Sequence, residues 1–175
     1  LPRGLVEGED AWLLPSTPQE LELIRTILRN TTPLGQIFDV FNGIQTSRKS
    51  VYEITEWEQD DEETIAFVRE GKQWYLEHEI LRPFFDDDYG TLRSFHPLPD
   101  TVRIIFPYFV ESQENGRLQA TVIPPQIMKD RFPCAYAWLS QNADTLQNRD
   151  IRPKSYPSGE WYRYGRTQNL TAFED

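Results

Sequence analysis

One cysteine, one methionine and two histidines in 175 residues leave little room for several kinds of chemistry. A single thiol, Cys134, excludes an internal disulfide and any cysteine-based zinc cluster, so nothing points to an oxidising compartment. No apolar run approaches the roughly 18 residues of a membrane span, and no basic stretch leads into a short apolar segment as in an export signal. The expectation is a soluble, cytoplasmic protein without a membrane partner. Because the chain opens Leu1-Pro2 and its one methionine is Met128, it also reads as a single domain, residues 1–175, taken from a longer polypeptide.

Catalytic motifs are missing too. There is no glycine-rich phosphate loop, no Gly-x-Gly-x-x-Gly, no Cys-x-x-Cys and no Ser/His/Asp order with supporting context. His78-Glu79 begins like a zinc-protease helix, but position 82 is Arg82. Ile123-Pro124-Pro125-Gln126 lacks the amide and the ring of the Asn-Pro-Pro-Tyr methyltransferase motif. Asp86, Asp87, Asp88 and His96 have the residue types for acid–base work, yet adjacent acids in a Gly90-terminated turn read as solvated. Cys134 near a helix start has no base beside it and reads as inert. We assign no catalytic residue and no metal site, since the acidic run 56–63 has neither the glycine nor the ligand spacing of a calcium loop.

Positive charge is scarce as well: 18 Lys and Arg face 28 Asp and Glu, a net charge of −10. Its distribution is uneven. Residues 53–70 carry eight acids against Arg69, a net −7, whereas residues 149–170 hold five cations against Asp150 and Glu160, a net +3. Arg48 and Lys49 make residues 43–52 positive. Local patches, more than the total, decide whether a surface meets phosphate.

What the chain does have is aromatic residues, 13% of the total, which together with 38% hydrophobic content can build a core. Thr17-Pro18-Gln19-Glu20 is a capping box with proline at the first helical position, and Leu21, Ile24, Ile27 and Leu28 give one apolar helix face ending near Asn30. Alternation around Ile37 and Phe41, and again at Val51–Ile54, predicts a hairpin through Asn42-Gly43 with a polar loop, Gln45, Thr46, Ser47, Arg48 and Lys49. Thr64–Val68 predicts a strand, Gln73–Leu81 a short helix, Val102–Val110 a strand broken at Pro107, and Asn115-Gly116 a turn into strand Leu118–Val122 that ends at Pro124-Pro125. A second helix begins near Pro133 and closes at Arg149.

The densest stretch is Trp161-Tyr162-Arg163-Tyr164-Gly165-Arg166-Thr167-Gln168-Asn169. If extended, it places Trp161 and Arg163 on one face and Tyr162, Tyr164 and Arg166 on the other, so that Trp161 anchors in the core and tyrosines and arginines stay outside. Arginine forks to phosphate or to guanine, and Gln168 can pair with adenine. An aromatic edge strand with solvated arginines is the plainer reading of the same residues.

Leu34-Gly35-Gln36-Ile37, Gly43-Ile44-Gln45-Thr46, Leu81-Arg82-Pro83, Ile104-Ile105-Phe106-Pro107-Tyr108, Pro133 with Leu139, Leu146 and Arg149, and Trp161–Arg166 occur in an order that resembles the TaqI-type C-terminal specificity domain. The resemblance covers about residues 12–170. It implies an α+β fold, a twisted, mostly antiparallel β-rich half with packed helices, acting as the target recognition domain of an adenine-N6 DNA methyltransferase with or without a fused endonuclease. Implied partners are double-stranded DNA and the methyltransferase catalytic domain of the same chain. No cofactor is expected in this fragment; S-adenosylmethionine belongs to the parent protein. By position, the resemblance makes Gln45, Thr46, Ser47, Arg48, Lys49, Arg163, Arg166 and Gln168 candidate DNA-binding residues, and the basic stretch 149–170 adds Arg152 and Lys154. The competing expectation, from the acidic stretch Glu53–Glu63, is a protein-interaction or DNA-mimicking module without DNA affinity.

Overall fold

A computed structural model describes residues 17–38, 42–84, 102–149 and 159–172. The chain divides into two units, Leu1–Asn42 and Gly43–Asp175. In the first, helix α1 spans Pro18–Asn30. Thr17 caps it as expected: the Glu20 N–H donates to Thr17 Oγ1 and the Thr17 N–H to Glu20 Oε2, both at 3.2 Å. Leu34–Gln36 follows as a 3₁₀ turn, so the strand predicted around Ile37 does not form at Ile37 and Phe38; residues 39–41 lie outside the described residues.

The second unit is α+β and its strand pairing is antiparallel throughout the described residues. A single helical turn, α2 (Lys49–Tyr52), leads into β1 (Glu53–Ile54). The sequence predicted a strand from Val51. Four consecutive buried residues, Val51–Ile54, explain the difference, because a half-buried strand would have to alternate. β1 pairs with β6 (Arg103–Ile105), which also pairs with β5 (Leu81–Pro83), giving the order β1-β6-β5.

A meander of β2 (Trp57–Gln59), β3 (Thr64–Arg69) and β4 (Lys72–Glu77) forms the second sheet. The helix predicted over Gln73–Leu81 is instead β4, a 3₁₀ turn at His78–Ile80 and β5. The missed signal is Glu70-Gly71, where φ is +52° and +73°, a two-residue turn whose twist matches the strands it joins. It sets Ile65 opposite Leu76 and Phe67 opposite Trp74, and helix α4 (Pro133–Gln141) covers that face with Trp138. The Trp138 ring meets Phe67 and Trp74 edge-on, both at 5.2 Å between centroids, and its Nε1–H donates to the Val51 carbonyl at 2.8 Å. The buried Trp138 ring thus satisfies its one polar group.

β7 (Tyr108–Ser112) and β8 (Leu118–Val122) make the predicted hairpin around Asn115-Gly116, with Gly116 at φ +74°. Pro124-Pro125 does more than end β8: it opens helix α3 (Pro125–Arg131), which sequence reading missed. After α4 comes α5 (Ala143–Gln147). The core joins both sheets and the helices through Ile54, Ile65, Leu76, Ile104, Ile105, Met128, Leu139 and Leu146.

No side chain of its own caps α4; Glu77 from β4 does so, accepting from the backbone N–H groups of Cys134 (2.7 Å) and Ala135 (3.0 Å). An anion fixed at a helix N-terminus satisfies orphan donors and the dipole together. For Cys134 the consequence is the reverse of activation. Burial, then the Glu77 charge and a hydrogen bond to its carboxylate, push the thiol up to about 11. The native state holds that proton more tightly than the unfolded chain, so stability falls as pH rises from the ordinary thiol range towards 11. Glu77→Gln should lower stability by about 1 kcal/mol in urea unfolding. It should also move the pH midpoint of Cys134 alkylation downward; an unmoved midpoint would mean that burial alone sets it.

Candidate nucleic-acid interface

The tail from Gly159 onward is a series of turns and not an extended strand. Its alternation survives, with the faces exchanged. Tyr162 and Tyr164 are fully buried, while Trp161 is only half-buried, 6.4 Å from the Tyr136 ring. The expectation that Trp161 is the core anchor and the tyrosines face solvent is therefore corrected. The two tyrosines can be buried because each hydroxyl finds a backbone carbonyl to which it donates.

Tyr162 Oη donates to the Ile123 carbonyl beyond β8, and Tyr164 Oη to the Ile105 carbonyl of β6. Tyr108 Oη accepts from the Tyr164 N–H at 2.6 Å, and Tyr52 Oη donates to the Tyr162 carbonyl at 2.7 Å. Tyr52 and Tyr164 also meet edge-on at 5.0 Å. Burial raises the pKa of Tyr108, Tyr162 and Tyr164, so all three hydroxyls stay neutral well above physiological pH.

Arg149 completes this seam. It is 4% exposed, and its guanidinium donates to the Thr46 carbonyl (3.4 Å), to Tyr52 Oη (3.2 Å) and to the Arg163 carbonyl. Among the described residues no carboxylate pairs with it. Sequence reading counted Arg149 as a helix-closing cation and left it out of the site. No local signal marks it as inward-pointing, since α5 ends at Gln147 and the groups it binds lie in other segments.

The same seam carries the loop 45–49 to the tail. The Gly165 N–H donates to the Thr46 carbonyl (3.2 Å), the Arg166 N–H to the Gln45 carbonyl (3.4 Å), and Arg166 Nη1 to Gln45 Oε1 (2.8 Å). Two segments more than a hundred residues apart are thus fastened by backbone and side chain. Ser47 takes φ +63°, and the buried Thr46 hydroxyl accepts from the Arg48 N–H at 3.2 Å, so Thr46 shapes the turn and its side chain is not free to face a ligand. Arg48 and Lys49 stand exposed beside it. Residues Ile44–Ser50 line a cleft of about 490 Å³ together with buried Glu53 and with Phe84.

The remaining candidates divide. Arg166 and Gln168 are exposed; Arg163 is half-buried, with Nη1 4.0 Å from Glu160, which turns it away from a free surface role. Arg152 and Lys154 lie outside the described residues, as do Asp86, Asp87, Asp88 and His96. No helix among the described residues is long and apolar enough to cross a membrane.

Replacing Arg149 by Met keeps most of its length and removes its donors. We expect a loss of roughly 2 kcal/mol, because the Arg163 carbonyl is left without that donor. Hydrogen exchange at the Gly165 and Arg166 amides should quicken; unchanged exchange there would show that the seam holds without the guanidinium.

Over 166 residues, 92% of the chain, the protein is 28% identical to the type II restriction enzyme and methyltransferase RM.Eco57I of Escherichia coli. The chain spans 16% of that protein's length. No family model matches the chain, and no solved structure does. Its similarity is thus to one segment of a restriction–modification protein.

Proposed function

We propose that this chain is the target recognition domain of a site-specific adenine-N6 DNA methyltransferase in a restriction–modification protein, binding double-stranded DNA and performing no catalysis itself. An S-adenosylmethionine-dependent domain of the same polypeptide would carry the methyl transfer on a flipped adenine, while this module holds the duplex in register. Similarity to a restriction enzyme and methyltransferase along nearly the whole chain supports the setting. The observation that carries the reading is the Gln45–Arg166 pair.

Arg166 occupies one lone pair of Gln45 Oε1, so what the pair presents is mainly donors: the Gln45 amide hydrogens and the remaining guanidinium N–H groups. A surface of donors fits acceptors. In the major groove guanine offers two, O6 and N7, while adenine and cytosine each place an amino donor there. Beside the pair, exposed Arg48 and Lys49 suit phosphate, and half-buried Ser47 offers a hydroxyl at the loop tip. The acidic stretch speaks less for a protein-interaction role, since its centre is spent on a turn. Asp61 Oδ1 accepts from the Glu63 and Thr64 N–H groups at 2.8 and 2.7 Å, and these bonds, that from Glu63 foremost, lower its pKa.

The test uses the longer protein and its own target duplex, mapped by sequencing methylated DNA. Arg166→Ala should weaken binding by about 1–3 kcal/mol, and 7-deazaguanine at one target position should weaken the parent protein but not the variant. Unchanged affinity, salt slope and target sequence in Arg166→Ala would sink the assignment.

A further inference from the structure

Ser50 lines two clefts. One is the cleft of the 45–49 loop; the other, about 430 Å³, opens between the β3–β4 turn and the end of α4, where Arg69, Glu70, Lys72, Trp74 and Gln141 meet. Sequence reading placed no site there. It counted Arg69 only as the lone cation of an acidic stretch.

Two observations mark the second cleft as made for an anion. First, Arg69 and Lys72 are directly opposite each other across the hairpin. Like charges in that arrangement repel and are ordinarily avoided, all the more where the neighbouring residues are acidic and offer easy replacements. Second, neither cation is neutralised by an ion pair among the described residues. Arg69 Nη2 donates to the Glu53 carbonyl at 3.1 Å, and its Nε is buried without a hydrogen-bond partner. Lys72 Nζ lies 3.9 Å from the centre of the Trp74 ring, which attracts the ammonium and holds it at the lip without cancelling its charge. Glu70, in the turn between them, is the one carboxylate on the cleft wall among the described residues.

We propose that this cleft is a phosphodiester-binding surface that continues the DNA path from Arg48 and Lys49, across Ser50, to Arg69 and Lys72. The proposal rests on the DNA-binding reading above and extends it to residues outside the loop and tail. Contacts of this kind fix register and strength but read no bases, so they leave a kinetic and thermodynamic mark different from that of Arg166.

The experiment compares Lys72→Glu, Gln141→Glu and Arg166→Ala in the longer protein, on its target duplex and on an unrelated duplex, from about 50 to 200 mM salt. Lys72 and Gln141 are exposed, so both glutamate variants should fold with unchanged urea midpoints. Each lost phosphate contact reduces the salt slope by roughly one, which at physiological salt is roughly a fivefold weaker complex. Lys72→Glu should show at least that loss on both duplexes, with target preference intact, and Gln141→Glu a smaller loss of the same kind. Should both glutamate variants bind like the parent while Arg166→Ala is impaired, the second cleft lies off the DNA path and the recognition reading stands. Should the unmodified protein bind neither duplex, both proposals fall together.

Discussion

The seam around Arg149 is the constraint on which the rest of the second unit depends. Its guanidinium reaches residues 46, 52 and 163, segments that no local interaction could bring together. A buried cation normally demands a carboxylate; here carbonyl and hydroxyl oxygens take that role and leave the positive charge uncancelled among the described residues. Such an arrangement is costly to desolvate. It also gives the loop and the tail a common positive foundation inside a chain of net charge −10. A fixed charge beneath a surface in low-dielectric surroundings acts on that surface more strongly than a solvated lysine would.

The tyrosines explain how so irregular a tail can be held firmly. A strand would have satisfied its backbone through a ladder; turns cannot, and the tail's donors and acceptors go to side chains and loop carbonyls instead. Tyr52, Tyr108, Tyr162 and Tyr164 combine a large apolar ring with one hydroxyl, so each fills the core and closes one backbone valence at once. Arg163, next to two of them, is drawn half-inside, whereas Arg166, one residue past Gly165, emerges at the surface. The division between structural and available arginine follows from which residues the tyrosine pair drags inward.

Much of this fold was legible in the sequence wherever the signal was local. The capping box of α1, the Asn115-Gly116 hairpin and the proline-started α4 depend on neighbours within a few residues, and all three form. Reading failed where distant partners decide. Gln73–Leu81 has apolar residues at spacings that fit either period; the Glu70-Gly71 turn pairs its first part with β3, and Leu81 pairs with distant β6. Tyr162 and Tyr164 looked like surface rings because their hydroxyl partners, Ile123 and Ile105, are far away in sequence. For the site, loop 45–49 and the tail were both singled out, but that they are fastened to each other through Gln45 and Arg166 could not be read from either stretch.

Acidic composition and a DNA-reading role are compatible on physical grounds. Electrostatic attraction to a duplex is felt over about a Debye length, roughly 8 Å at physiological salt, so what matters is the sign of charge on the face turned to the phosphates. Arg48, Lys49, Arg69, Lys72 and Arg166 line the two clefts and the seam between loop and tail, while Asp60, Asp61, Glu62 and Glu63 occupy the opposite end of β3 from Arg69. If the recognition reading holds, a duplex approaching the acidic end would be repelled and one approaching the cationic end held. On the recognition reading, that polarity orients the module before any base is touched and suppresses binding through other faces, so the negative surplus serves selectivity at the expense of bulk affinity.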